Sequence, residues 1–384
     1  MNPPRYRVII EGADGRDVEM HRFSFLKFGY SLNRGTTAEL TLALKPASDN
    51  EVDKLDNLST ATLNSWIRIY RWEDRNDEAT ERLVWYGKLV DPSYSLNGES
   101  GQITLRYHDL ATLLGRRLVP RDYSVTSATD ASQILWNLIN NSQLIQESGG
   151  TVVGDLGIVQ GAAPTSKDRQ PEKDLQNRSI LDVMTAFSEY EDGIDWEITP
   201  TPRNQSTGIF NTYYAGAGEE YHKGQAVTIP LTYYVDAEHT MKYNNVKTVQ
   251  VDEIGSEYAN DILALGATIE EEQIYSQSEN ETQQLVYGLF QDVISETSVS
   301  EQATIDDKAD EEVGARSKIP FNIKLSMLPL EAPRFGNFDV GDIFTFNFKF
   351  FDFRKFTREY RLYRFTVTVD DNEVETIDLE LNNL

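Results

Sequence analysis

Cysteine is absent from the 384 residues, histidine occurs four times, and no stretch approaches the ~18–20 consecutive apolar residues of a membrane span. Without cysteine there is no disulfide framework, no thiolate metal site and no cysteine nucleophile. Basic residues are also few: 36 Lys and Arg stand against 62 Asp and Glu, a net charge of −26. A reader of duplex DNA gains affinity by neutralising phosphates, so this balance argues against that class. The start, Met1-Asn2-Pro3-Pro4-Arg5, lacks the basic residues and apolar core of a secretory leader. The chain is therefore expected to be soluble, without stable membrane insertion, and the Asn-x-Ser/Thr triplets at Asn57, Asn177 and Asn280 carry little meaning.

Catalytic signatures are missing as well. There is no Walker A loop, His-Glu-x-x-His, EF-hand loop or Gly-x-Ser-x-Gly, and Gly216-Ala217-Gly218 lacks the third glycine of a dinucleotide loop. His21, His108, His222 and His239 are scattered, so no metal and no cofactor is expected. Paired carboxylates are the one catalytic alternative, because a glycosidase needs only two. Glu189, Glu191, Asp192, Asp195 and Glu197 cluster in sequence, and Asp195 and Glu197 share a strand face beside Trp196. In a chain with 62 acidic residues such clusters arise freely, so the reading is that the protein is not an enzyme. Trp66, Tyr70 and Trp72 on one strand face could bind a sugar, but the same pattern serves a barrel core.

At ~100–200 residues per domain, two to three domains are expected. The acidic excess is concentrated: residues 1–125 hold 17 basic and 18 acidic residues, whereas residues 251–315 hold 17 acidic residues and only Lys308, a net of −16. Such a segment is either a solvated helical face or a repulsive wall past which a polyanion slides.

Alternation and turn residues predict about six antiparallel strands in residues 1–112, from Tyr6–Ile10 to Ile103–Tyr107, suited to a small barrel or sandwich. Residues 113–240 read as an inserted α+β domain. Asp130 caps a helix with Ile134, Leu135, Leu138 and Ile139 on one face; Ser179 caps another with Ile180, Leu181, Met184 and Phe187. Residues 241–384 return to β, interrupted at about 253–317 by the acidic insertion with a helix from about Val299 to Arg316. Within this region Phe344, Phe346, Phe348 and Phe350 alternate with polar residues, and Phe351, Phe353 and Phe356 follow among Arg354, Lys355 and Arg358. Base stacking or a membrane-touching tip would use these residues, but period-two phenylalanine is the mark of a half-buried ribbon. Phe344, Phe346, Phe348 and Phe350, with Trp66 and Trp72, are the candidate subunit-interface residues.

Four places carry a family resemblance. They are Trp85-Tyr86-Gly87-Lys88 with His108-Asp109-Leu110; Ser179 to Met184 leading to Asp195-Trp196-Glu197-Ile198; Tyr243-Asn244-Asn245-Val246 with Tyr287-Gly288; and Val340-Gly341-Asp342-Ile343 with Arg364-Phe365-Thr366-Val367. In this order they resemble the bacteriophage tail-tip or baseplate hub family, the group that includes the N-terminal structural domains of tail-associated lysins. The match departs after Tyr287-Gly288, where the family often has Arg and this chain has Leu289-Phe290. The resemblance implies a mainly β chain of two tube-type β-barrels with a peripheral α+β domain. It implies a homotrimer in the virion that adapts a six-fold tube to a three-fold tip. Its partners would be a distal tail protein, the tail tube and tail fibre or tip proteins, and DNA would pass through the lumen without specific binding. No catalytic residues transfer, and an end at Leu384 is expected to leave no room for the hydrolase that some members append. The alternatives are a distal tail protein, the hub of a phage-derived injection or gene-transfer particle, and a carbohydrate-binding or cell-wall-degrading tail protein.

Overall fold

A computed structural model describes residues 4–12, 17–20, 23–44, 65–73, 80–97, 100–121, 123–125, 127–147, 149–169, 175, 177–189, 193–201, 208–216, 223–235, 244–253, 255–256, 258–269, 272–297, 299–317, 321–328 and 331–383. Two compact units emerge: residues 1–249 with 325–380, and residues 250–324 with 381–384.

The chain opens with β1 (Arg5–Glu11), β2 (Asp17–Met20), β3 (Phe25–Ser31), β4 (Thr37–Leu44), β5 (Trp66–Trp72), β6 (Glu81–Asn97) and β7 (Ser100–Asp109). Against the about six strands expected, seven form among the described residues, β2 and β3 being separate strands. Alternation sets the burial as anticipated: on β1, Tyr6, Val8 and Ile10 point inward while their neighbours are half-buried. Next come α1 (Leu110–Leu114), β8 (Thr129–Asp130), α2 (Ala131–Gln143), β9 (Ile158–Gln160), β10 (Asp168–Arg169), α3 (Ile180–Glu189), β11 (Asp195–Pro200), β12 (Gly208–Tyr213) and β13 (Ala226–Val235). They are followed by β14 (Val246–Glu253), β15 (Asp261–Ile269), β16 (Glu272–Glu279), α4 (Glu281–Tyr287), β17 (Gln291–Ser295) and α5 (Gln302–Arg316). The last strands are β18 (Phe321–Met327), β19 (Ile343–Phe350), β20 (Arg354–Asp370) and β21 (Glu375–Asn383).

The main sheet has the order β14-β18-β21-β20-β3-β4-β7-β6-β5-β1-β2, with β19 on β20 and β13 on β19. β20 is the hinge of this arrangement. Its first part pairs with β19, from Phe350↔Arg354 to Ile343↔Arg361, and its second part pairs with β3, from Ser31↔Arg364 to Phe25↔Asp370. The two expected β regions are thus joined strand to strand in one mainly antiparallel sheet, and no closed barrel is found among the described residues. β13, counted by sequence with the inserted domain, lies parallel to β19 in this sheet.

Several of the motif residues act by satisfying backbone. Asp109 accepts from the Thr112 N–H (2.7 Å), capping α1, and from the Thr36 N–H (2.7 Å) and hydroxyl (2.8 Å). Asn245 accepts from the Thr232 N–H (2.7 Å) and donates to the carbonyls of Pro230 and Ala332 (2.8 Å each). Asn244 does the same to Tyr234, accepting at 2.7 Å and donating at 3.1 Å. A strand edge left without a neighbour exposes these groups, and the two amides take the neighbour's place. Gly87 permits a close approach: a Cβ there would lie 2.4 Å from the His108 carbonyl oxygen and 2.4 Å from the Trp85 ring.

In the inserted region α2 and α3 share a core with the sheet β11-β12-β9. Both expected caps form, Asp130 accepting from the Gln133 N–H (3.2 Å) and the Ser179 hydroxyl from the Asp182 N–H (3.1 Å). Ile134, Leu135, Leu138 and Ile139 of α2 and Ile180, Val183, Met184 and Phe187 of α3 are buried there with Trp196.

The acidic unit is an α/β element, with the sheet β16-β15-β17 and α5 against β15 and β16. The sequence suggested a helix and left the rest open; the strands follow from alternation at Ile262 and Ala264, both fully buried. α5 buries Ile305, Ala309 and Val313, four residues apart, and turns Asp306, Asp307, Asp310 and Glu311 to water.

Candidate functional site

The paired carboxylates on β11 lie in a buried polar cluster of the larger unit. Trp196 faces the inserted core, its Nε1 donating to the Met184 carbonyl (3.0 Å), so its neighbours Asp195 and Glu197 face the other way. Asp195 is 4% exposed. It accepts from Asn33 Nδ2 (2.7 Å), from the Lys223 N–H (2.8 Å) and from the Arg361 guanidinium. Asn33 has φ of +56°, a left-handed conformation asparagine tolerates, and its Oδ1 accepts from the Trp196 N–H (2.7 Å). Arg361 also donates to the carbonyls of Lys223 (2.9 Å) and Gly341 (3.2 Å).

Glu197 is paired with the Lys223 ammonium and the Tyr213 hydroxyl, and Lys223 reaches Asp339 as well (3.0 Å). Burial alone would lower the Lys223 ammonium, but Asp339 and Glu197 outweigh it and hold it above its ordinary value. Burial and then Glu197 push the Tyr213 phenol up. Asp342 completes the cluster, accepting from the backbone N–H groups of Gln225 (2.9 Å) and Asp339 (2.8 Å). The chains at Gly224 and Gly341 pass so closely that a Cβ on Gly224 would lie 2.0 Å from the Gly341 carbonyl oxygen.

This cluster ties the loop after β3, β11, the segment before β13 and the β19–β20 hairpin into one joint. A general acid or base needs a proton it can exchange with substrate. Here Asp195 already holds the Arg361 guanidinium and Glu197 the Lys223 ammonium. Of the other acidic candidates, Glu189 lies on the surface 3.7 Å from Arg34, and Glu191 and Asp192 fall outside the described residues. Sequence reading missed the partners Asn33, Lys223, Asp339 and Arg361; those that contact Asp195 or Glu197 directly lie 26 to 166 residues away along the chain. The one signal was Val340-Gly341-Asp342, whose aspartate proves to bond backbone.

The aromatic candidates divide by depth. Phe344 and Phe346 are fully buried in this chain's own core, and Phe348 is stacked between Tyr233 (5.8 Å) and Phe356 (5.0 Å). Phe350, at the end of β19, is exposed, as are Phe351 and Phe353 in the turn. Trp72 is buried, and Trp66 is stacked on Tyr86 at 5.0 Å with Lys88 over its ring. Arg7 lies over Tyr70 (4.8 Å) and Trp72 (5.6 Å). The faces a sugar would need are therefore occupied by the protein's own cations and rings.

A second buried network was not legible in sequence. Arg71 on β5 grips Glu375 of β21 through Nε (2.8 Å) and Nη2 (3.1 Å), and the Tyr6 hydroxyl joins the same carboxylate. Burial, then Glu375, pushes the Tyr6 phenol up. Among the described residues no group of three or more metal-binding side chains comes together, and no helix is long and apolar enough to cross a membrane.

No protein-family profile and no curated protein matches the sequence. Solved structures do. The 43 kDa tail protein of prophage MuSo2 from Shewanella oneidensis superposes with a TM-score of 0.63 at 8% identity, over 98% of each chain. The tail protein from Neisseria meningitidis MC58 gives 0.61 at 10% identity, over 99% of this chain and 97% of that one. A chain of the half-lidded Francisella PdpA–VgrG complex gives 0.53 at 10% identity, over 99% of this chain and 58% of that one. At such identities the likeness lies in the backbone: the chain has the fold of phage tail proteins, the group whose tail-tip and baseplate hubs its sequence resembles.

Proposed function

We propose that the chain is a structural, non-enzymatic virion protein, the trimeric tail-tip or baseplate hub that joins a six-fold tail tube to a three-fold tip. In this reading the two β regions are the tube-type barrel domains and residues 113–240 the peripheral domain. A distal tail protein and the tube contact one side, fibre or tip proteins the other, and DNA passes through the lumen without specific binding. The carrying observation is a likeness in fold to two tail proteins, one of them from a prophage, along nearly the whole of both chains. The occupied carboxylates of the β11 joint add support, since they hold the framework together rather than facing a substrate. The acidic surface fits a passage that DNA must leave freely, because like charge prevents sticking.

Immunogold labelling of intact particles with antibody against this chain tests the reading. Label at the distal end of the tail is expected; label confined to the head, or particles lacking the chain, overturns it.

A further inference from the structure

Six large apolar side chains are exposed within nine residues of the acidic unit: Leu285, Val286, Tyr287, Leu289, Phe290 and Val293. Single exposed apolar residues need no explanation, but a cluster marks an interaction surface. Leu285 is 89% exposed although it lies on α4, whose residues are all unburied. The segment is nonetheless held firmly. The buried Asn260 donates to the Gly288 carbonyl (2.7 Å) and accepts from the Phe290 N–H (2.8 Å), while its own N–H donates to the Phe290 carbonyl (2.9 Å). Gly288 makes the turn at φ +84°. A surface fixed in advance loses little entropy on docking. Beside it β17 is the edge of its sheet.

Charge selects the partner. The unit carries −16 over residues 251–315, so two copies of this face repel and a symmetric contact is disfavoured. The complement is present in the same chain. At the tip of the β19–β20 hairpin Phe350, Phe351 and Phe353 are exposed, Phe353 to 83%, in a sequence window, residues 349–358, that holds Lys349, Arg354, Lys355 and Arg358 and one acidic residue, Asp352. In a protein of net −26 these ten residues carry +3. An apolar centre with charged groups around it is the anatomy of a protein interface.

We propose that copies of this chain associate heterologously, the hairpin tip of one seating on the 285–293 segment of the next. The proposal rests on the self-association in the hub reading and names the surfaces that carry it. Native mass spectrometry of the full chain over a concentration series tests it. The wild type is expected to form trimers. Phe353→Ser, and separately Leu285→Ser with Val286→Ser, are expected to weaken association about tenfold or more. Equimolar mixing of the two variants should restore a heterodimer, because each retains one intact surface. Circular dichroism should leave both folded, since all three side chains face water. Lys355→Glu with Arg358→Glu should weaken assembly most at low salt.

A photo-crosslinker at position 353 should join residues 281–295 of an isotope-labelled second copy. Trimers that persist undiminished in both variants, or crosslinks that fall elsewhere or only within one copy, overturn the interface while leaving the hub reading standing. A wild type that stays monomeric throughout overturns the proposal, and the particle labelling above still decides the hub reading by itself.

Discussion

Asp195, on β11 of the larger unit, is almost wholly buried and holds three donors, whereas Asp307, on α5 of the acidic unit, faces water. Both belong to acidic runs that look alike in sequence. The difference is where the basic residues are. Around Asp195 the fold gathers Lys223 and Arg361, and burial makes their pairing obligatory. The acidic segment has one basic residue in 65, and its carboxylates on α5, Asp307 among them, stay in water, whereas the buried Asp261 is held by the amides of Gln277 and Gln291 (2.8 Å each). The larger unit adds buried ion pairs to an extensive apolar core; the smaller one has a thin apolar seam of Ile262, Ala264, Ile305, Ala309 and Val313 beside the buried Asn260 and Asp261.

The largest test of that contrast is Asp195→Ala. It strands the Arg361 cation, 13% exposed, and should cost about 3–5 kcal/mol of stability in denaturant titration. A loss below about 1 kcal/mol would mean the joint is slack. Ile305→Ala in the acidic unit should cost about 2–4 kcal/mol, seen as an early melting step of that unit alone. One joint transition shifting as a whole would show that the two units do not melt separately. Asn245→Ala should cost about 1–3 kcal/mol, because it leaves the groups of Thr232, Pro230 and Ala332 without their partner. A smaller effect is expected from pH.

Burial, helped by Arg116, lowers His108, so the folded state prefers the neutral ring. Its contribution is therefore complete above the unfolded value of about 6.5 and is lost as pH falls from there toward the folded value. Melting temperatures between pH 5 and 8 should show this slope, and His108→Gln should flatten it. Least of all, Asp307→Asn should change stability by no more than about 0.5 kcal/mol; a clear loss would show that the acidic face is held by pairs rather than by water.

Much of this organisation was readable beforehand. The strands of the first hundred residues, both capped helices of the inserted region and the helix at 302–316 follow from period and cap residues acting over a few positions. The alternating phenylalanines read as a half-buried ribbon and as interface candidates; Phe344 and Phe346 are buried within this chain and Phe350 is exposed. Alternation tells which side of a strand is apolar, not whether that side meets the same chain or another. The carboxylate pair was located but not its partners, and Tyr6, Arg71 and Glu375 gave no sign of one another. Their contacts span up to 369 residues, a separation at which no local pattern survives.

The sequence by itself determined a mainly β chain, the capped helices of residues 130–189 and a strongly acidic segment, because periodicity, caps and composition act locally. Only the tertiary structure decided that one long strand, β20, joins both β regions in a single sheet, and that Asp195 and Glu197 are ion-paired supports. Those outcomes depend on which distant strands share an edge and which charges are buried together, and both are settled only when the whole chain has closed upon itself.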